Sequence, residues 1–315
     1  MSFIGLGKII LLGEHAVVYG YPALAAALDR GVRIAAVPTP AGGALRLDMP
    51  SWNAKLSWQD DHPLARGLVA IADHLRVGRP AATLVGEAQI PLGAGLGGSA
   101  AFAVAVSRAL IDLRDRQHAA PNQPAKPATL DDVVTAANFS EQILHGRPSG
   151  VDSAISAAGG VAVFRKADGL RPLRVAPLRV IVGSSGEPRS TAAMIQRVAE
   201  ATSRVEDDAR LRELGNLTDN GTRSLLTGDL AAFGAAMDRA HHVLAELGVS
   251  TPLLDSLCDS ARRAGAFGAK LTGAGGGGAV IAIAPRERES AILTAWRNQG
   301  ISGFLAHIGD QGGPS

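Results

Sequence analysis

The residues best suited to chemistry in this chain gather at a glycine-rich turn that ends in a serine. In AQIPLGAGLGGSAAFAVAVSRALIDL (88–113), Gly93, Gly95, Gly97 and Gly98 lie close together and Ser99 follows. Glycine accepts positive φ and carries no Cβ, so such a backbone folds tightly and can turn several N–H groups toward a ligand. Phe102, Val106, Leu110 and Leu113 then recur at helical spacing on one face. Ser99 is suited to cap that helix, whose first N–H groups have no internal partners. Free N–H groups at the positive end of a helix dipole make an anion site, most naturally for phosphate. Gly93-x-Gly95-x-x-Gly98 also satisfies the loose dinucleotide pattern, which needs an acidic residue about 20 positions on, after a second strand. Asp112 has roughly that spacing but sits in the same helix. A Walker loop is absent, because no lysine precedes Ser99. A turn that only packs a helix against a strand is the alternative reading of these glycines, with phosphate binding favoured.

Isolated charges form the second signal. Lys8 lies inside FIGLGKIILL (3–12), a strand-like apolar run in which an ammonium must snorkel or find an anion. Gly13-Glu14-His15 follows at the strand end, where ligand contacts tend to collect. Glu141 shares a helix face with Asn138 in DDVVTAANFSEQILHG (131–146), a helix expected to be capped by Asp131. Asp152 ends HGRPSGVD (145–152), where a carboxylate after a Pro-Ser-Gly turn is also a natural helix cap. A second glycine cluster, in GAKLTGAGGGG (268–278), fits a loop closing on the same ligand from another domain.

These groups need elements to hold them. Residues 32–38 and 44–49 alternate like strands of an antiparallel sheet, with PAGG (40–43) at the turn between them. Residues 63–76 read as a helix, and 82–90 as the strand that delivers the chain to the glycine turn. Pro121, Pro124 and Pro127 exclude a helix from Arg114 to Thr129. Beyond a strand at 177–185, the stretch 192–265 is mostly helical, with breaks expected at Gly215-Asn216, Gly228-Asp229 and 248–252. The change of character near 173–178 divides the chain into domains 1–175 and 176–315.

Composition narrows the classes. The 315 residues are 46% hydrophobic, enough for more than one folding unit. A net charge of +2, from 31 basic and 29 acidic residues mixed along the chain, argues against a nucleic-acid partner, as does 4% aromatic content. The single cysteine, Cys258, reads as a small buried hydrophobe. His241 and His242 are expected on a solvated helix face, and Trp52 and Trp58 either in the core or beside a base. The N-terminus lacks a targeting signature, and no apolar run reads as a membrane span, so a cytoplasmic protein with no membrane partner is expected.

Four stretches, in order, resemble the GHMP kinase family: GKIILLGEHAVVYGYPALAAAL (7–28), PLGAGLGGSAA (91–101), HGRPSGVD (145–152) and KLTGAGGGGAVIAI (270–283). Gly-Glu-His-Ala-Val-Val-Tyr-Gly (13–20), Pro-Arg-Ser-Thr (188–191) and GVSTPLLDSL (248–257) are most similar to the mevalonate kinases within it. One departure is Gly98, where most mevalonate kinases carry a serine; this puts a hydroxyl contact to phosphate at that position in doubt. The resemblance implies an α+β, two-domain GHMP kinase fold. Its N-terminal α/β domain has a mixed sheet, and its C-terminal α/β domain is ferredoxin-like. It implies ATP and Mg2+ as cofactors and mevalonate as the small-molecule substrate, phosphorylated on its C5 hydroxyl; a homodimer is the assembly considered. ATP would be held by Pro91, Leu92, Gly93, Ala94, Gly95, Leu96, Gly97, Gly98 and Ser99, with Ser51 on the adenine side. Ser99 and Glu141 would hold the metal. Asp152 would accept the hydroxyl proton beside Lys8, which keeps that carboxylate ionised. Glu14, His15, Arg189, Thr191, Gly273, Ala274 and Gly275 would face the acceptor, with arginine matching a substrate carboxylate. Within the family, a phosphomevalonate or sugar kinase is the nearest alternative. A nicotinamide-dependent oxidoreductase built on Gly93–Gly98 leaves Lys8, Asp152 and Gly273–Gly278 unexplained, and a non-catalytic sensor leaves no reason to keep them.

Overall fold

A computed structural model describes residues 1–40, 43–91, 93–118, 128–145, 150–187, 190–202 and 208–309. Its first sheet is built from β1 (Ser2–Leu12), β2 (Ala23–Pro38), β3 (Arg46–Met49), β4 (Ala54–Ser57), β5 (Ala82–Ala88), β6 (Val161–Arg165) and β7 (Gly169–Leu173). The strand order is β4-β3-β5-β2-β6-β7, with β1 paired to β2. The pairing of β3 with β5 is parallel and the others with printed register are antiparallel, so the sheet is mixed, as expected. The expected hairpin between 32–38 and 44–49 is not formed: β5 lies between β2 and β3, with Val32 opposite Ala88 and Pro38 opposite Ala82. Alternation fixes which face of a strand is buried, not which strand lies beside it. Of the expected turn, Ala41 and Gly42 lie outside the described residues.

The described chain divides into two compact units: residues 1–7, 30–92 and 97–158, and residues 8–29, 93–96 and 159–315. The first contains α1 (Pro63–His74), α2 (Gly98–His118), α3 (Leu130–His145) and α4 (Val151–Ala158). Its central member is α2, which packs against α1, α3, α4 and β5. Residues Ala100 to Ser107 and Ala109 to Ile111 are all buried, so α2 is enclosed on every side rather than on the single face its largest residues suggest. Small alanines make this close packing feasible. The helix reaches His118, so Arg114–His118 are helical despite the prolines beyond; those prolines (121, 124, 127) lie outside the described residues. Helix α3 is capped by Thr129 rather than by Asp131. Its backbone N–H and hydroxyl donate to Asp132 Oδ2 at 2.9 and 2.8 Å, and the Asp132 N–H donates back to Thr129 Oγ1 at 3.2 Å. Asp131 is within the first turn.

In the second unit, β8 (Leu178–Ser184), β9 (Gly268–Thr272), β10 (Ala279–Ile283) and β11 (Ser302–Ile308) form an antiparallel sheet in the order β11-β8-β10-β9. Counted from β8 this is 4-1-3-2, the ferredoxin-like order that the resemblance implies. Helices α5 (Thr191–Thr202), α6 (Ala209–Thr227), α7 (Leu230–Glu246) and α8 (Pro252–Arg263) lie between β8 and β9 in the chain, and α9 (Glu289–Arg297) between β10 and β11. Gly228 ends α6 in a left-handed C-cap, as expected. The break expected at Gly215-Asn216 does not occur. Gly215 lies inside α6, where a Cβ would collide with the Tyr21 ring, so the helix keeps a glycine for its close packing. Among the described residues, no helix is long and apolar enough to cross a membrane.

His241 departs from its expected solvated face: it is 2% exposed on α7. Its Nε2 is 3.0 Å from Asp255 Oδ1, and its Nδ1 accepts from the Leu271 N–H at 3.3 Å, which joins α7, α8 and β9. Cys258, buried as expected, has its Sγ 3.8 Å from the same Nδ1, and burial pushes its thiol pKa up, which makes it an unreactive packing residue. Burial lowers the His241 pKa to about 4, against the opposing pull of Asp255. The unfolded chain, with an ordinary histidine near pH 6.5, then takes up a proton that the fold refuses. Stability from this residue is complete above pH 6.5 and falls with acidification toward pH 4, by about 3 kcal/mol in total. Urea unfolding of wild type and His241→Asn should show a stability gap that narrows from pH 7 to pH 4.5; a constant gap would mean that His241 takes up its proton in the fold as readily as in the unfolded chain.

Candidate active site

In the first unit the site residues are carried by three helices packed together. β5 delivers the chain to the glycine turn, and Ser51 Oγ accepts from the Ala88 N–H at 2.9 Å, at the end of β5. This bond gives Ser51 a structural use at the strand end. Gly93, Gly95 and Gly97 have φ of +75°, +84° and +72°, values that favour glycine. Leu92 lies outside the described residues, and Pro91 is exposed while Ala94 and Leu96 are buried. Helix α2 begins at Gly98, so Ser99 is a first-turn residue rather than the cap. A Cβ at Gly98 would meet Trp52 at an ordinary 3.7 Å, so the residue is not forced to be glycine by crowding. Trp52 itself is half-buried and packs against Phe102, ring centroids 6.1 Å apart.

Ser99 Oγ donates to Glu141 Oε2 at 3.4 Å, which brings together the two residues expected to hold a metal. Glu141 is buried on α3. Two hard oxygens at this separation, on packed helices beside a helix N-terminus, suit a shared divalent cation. Such a site needs few protein ligands; among the described residues no group of three or more His, Cys, Asp or Glu is gathered for a metal. Asp152 is half-buried in the first turn of α4, just after Gly150 with φ +78°. At the other end of α4, the Ala157 carbonyl accepts from Arg108 of α2 at 2.8 Å, and Arg108 also donates to the Ile4 carbonyl of β1. Arg108, which sequence reasoning missed, thus fixes the helix that carries Asp152 to the helix that carries Ser99.

In the second unit, Lys8 is buried on β1 and its backbone N–H donates to the Leu96 carbonyl of the glycine turn at 2.8 Å. Glu14 is buried immediately beyond β1, and its carboxylate accepts from the Lys270 ammonium of β9. Burial pushes the Glu14 carboxyl up and the Lys270 ammonium down, and each opposes the shift of the other. His15 has φ +60°, an uncommon conformation for a side-chain-bearing residue. Its Nε2 lies 2.9 Å from the Ala274 carbonyl, and burial lowers its pKa. The Gly13–His15 turn therefore meets the Gly273–Gly275 turn at Ala274. Thr191 is the exposed first residue of α5, and Arg189 lies outside the described residues. Lys270 lies within the second glycine-rich stretch, KLTGAGGGG (270–278), and is a further residue that sequence reasoning missed. The signal that singles out Lys8, a lysine in an apolar strand, applies equally to it.

The description "GHMP kinases N terminal domain" matches residues 64–160, and "GHMP kinases C terminal" matches residues 222–302. The mevalonate kinase of Thermococcus sibiricus is 32% identical over 97% of this chain and 95% of its own length, and that of Thermococcus gammatolerans 33% over the same shares. Among solved structures, that of L. major mevalonate kinase in complex with R-mevalonate superposes with a TM-score of 0.84 at 26% identity, covering 99% of this chain and 97% of that one. The chain belongs to the GHMP kinase family, among its mevalonate kinases.

Proposed function

We propose that this kinase transfers the γ-phosphoryl group of ATP to the C5 hydroxyl of mevalonate, giving mevalonate 5-phosphate. The observation that carries the reading is the Ser99–Glu141 oxygen pair at the N-terminus of α2, directly after the glycine turn, in a chain whose relatives are mevalonate kinases. In this reading the phosphates lie against the N–H groups of Gly93–Ser99, at the positive end of the α2 dipole. Mg2+ held by the Ser99 hydroxyl and the Glu141 carboxylate would neutralise charge on the phosphate oxygens. Asp152 accepts the proton of the acceptor hydroxyl as the bond to phosphorus forms, and the Lys8 ammonium balances charge on the moving phosphoryl group. Glu14, His15, Arg189, Thr191 and Gly273–Gly275 line the acceptor side. The two family matches fall on either side of the division into domains 1–175 and 176–315, whereas the compact units place residues 8–29, 93–96 and 159–175 with the C-terminal part.

A coupled ADP-release assay across mevalonate, phosphomevalonate, homoserine and galactose should show mevalonate preferred; another preferred acceptor refutes the substrate and keeps the family. With that acceptor, Asp152→Ala should lower kcat by about 10²–10⁴-fold, the usual contribution of a general base, and leave ATP affinity by calorimetry within about twofold. Near-normal turnover would remove Asp152 from the reaction. Glu141→Gln gives up one charge of the cation pair, and the magnesium concentration for half-maximal rate should rise about tenfold or more; an unchanged titration would exclude Glu141 as a ligand.

A further inference from the structure

Three ties join the end of β1 and its turn to β9 and the glycine turn after it. Thr272 Oγ1 donates to the Ile10 carbonyl at 3.0 Å and accepts from the Ile10 N–H at 2.9 Å. His15 meets the Ala274 carbonyl. The third tie is ionic: the Lys270 ammonium donates to Glu14 Oε1 and, at 2.7 Å, to its neighbour's Leu271 carbonyl. The first two ties already hold the backbones together without any charge.

The ionic tie is therefore hard to explain by stability. Its side chains are 0% and 1% exposed, and a fully buried ion pair is commonly replaceable by apolar groups of similar volume without loss. The pair is also incompletely satisfied. Glu14 Oε2 is buried and has no hydrogen-bond partner among the described residues, an arrangement that native structures rarely keep without a reason. Lys8, in the same unit, is close enough to act electrostatically on this carboxylate. The acidic group is thus fixed on one oxygen by Lys270 while the other is left able to accept.

We propose that Lys270 is a positioning residue for the acceptor: its ammonium holds Glu14 through Oε1 so that Oε2 accepts a hydrogen bond from a hydroxyl of the bound acceptor. The inference rests on the reading that Glu14 lines the acceptor pocket. Lys270 itself need touch neither substrate. Without its ammonium the buried carboxylate must turn, take up a proton or draw in water, and each change spoils an acceptor aimed at a hydroxyl.

The test is steady-state kinetics of Lys270→Gln, well below its melting temperature, with ATP and with whichever acceptor the wild type turns over fastest. A different acceptor preference then refutes the mevalonate reading and leaves this test standing. The acceptor KM should rise about tenfold or more while the ATP KM stays within about twofold, a split that a general loosening of the fold would not produce. An unchanged acceptor KM, or a parallel rise in both constants, overturns the proposal. Should Lys270→Gln fail to fold, Glu14→Gln keeps the ammonium and the side-chain shape. It replaces one of the carboxylate oxygens by an N–H2 donor, and the same selective rise in acceptor KM is expected, with an unchanged value overturning the proposal.

Discussion

A charge inside an apolar sheet is tolerable only where another charge or a set of hydrogen bonds meets it, and this requirement shapes the second unit. β1 carries buried Lys8, β9 carries Lys270 with no exposed surface, and Glu14 sits at the turn that ends β1. The carboxylate meets the Lys270 ammonium there, beside the Thr272–Ile10 hydrogen bonds that join the two backbones. Within the four-stranded sheet Lys270 lies opposite Ile281 and Thr272 opposite Ala279, and the turn after β9 meets His15 at Ala274. His241 supports the same strand from behind by accepting from the Leu271 N–H. A neutral imidazole serves here because it can accept on one nitrogen and donate to Asp255 on the other, whereas the charged form can only donate.

In the first unit the comparable constraint is rigidity. Transfer of a phosphoryl group needs alignment and charge neutralisation more than covalent participation by the protein. α2 is enclosed by α1, α3, α4 and β5, so its N-terminus, with Ser99, is a fixed reference. Glu141 and Asp152 are on α3 and α4, both packed on α2, and Arg108 ties α4 to α2 directly. A helix of eight residues has little stability of its own. The guanidinium on its last turn satisfies a carbonyl that lacks an intrahelical partner and complements the dipole.

How much of this was legible in the sequence depended on whether the signal was local. The glycine turn, the strand before it and the helix after it were legible because positive-φ residues and apolar spacing act within a few positions. Lys8 was legible as an anomaly in its own strand. The pairing of Ser99 with Glu141 came through family resemblance, since no spacing rule links residues 42 positions apart. Partner choice between β2, β3 and β5 was not legible, because several apolar strands can satisfy the same face. Gly215 looked like a helix break since glycine is a poor helix former; only Tyr21, distant in the chain, makes it the residue that fits. His241 looked solvated because polar character is visible in sequence and a buried acceptor for Leu271 is not.

The two glycine clusters, alike in composition, answer different physical needs. At Gly93 an added Cβ would meet nothing within 4 Å, so glycine is there for its backbone angle, and the space beside it stays open. At Gly275 a Cβ would collide with the Val249 carbonyl, at Gly276 it would come within 2.7 Å of Met194 Sδ, and at Gly277 within 3.0 Å of Glu187 Cβ. These glycines let the turn after β9 press onto its neighbours, and the Gly276 N–H is spent on the Val249 carbonyl at 2.8 Å. A backbone amide so engaged is not available to an anion. The first cluster is therefore set by backbone conformation, while the second is a packed buttress that meets His15 at Ala274.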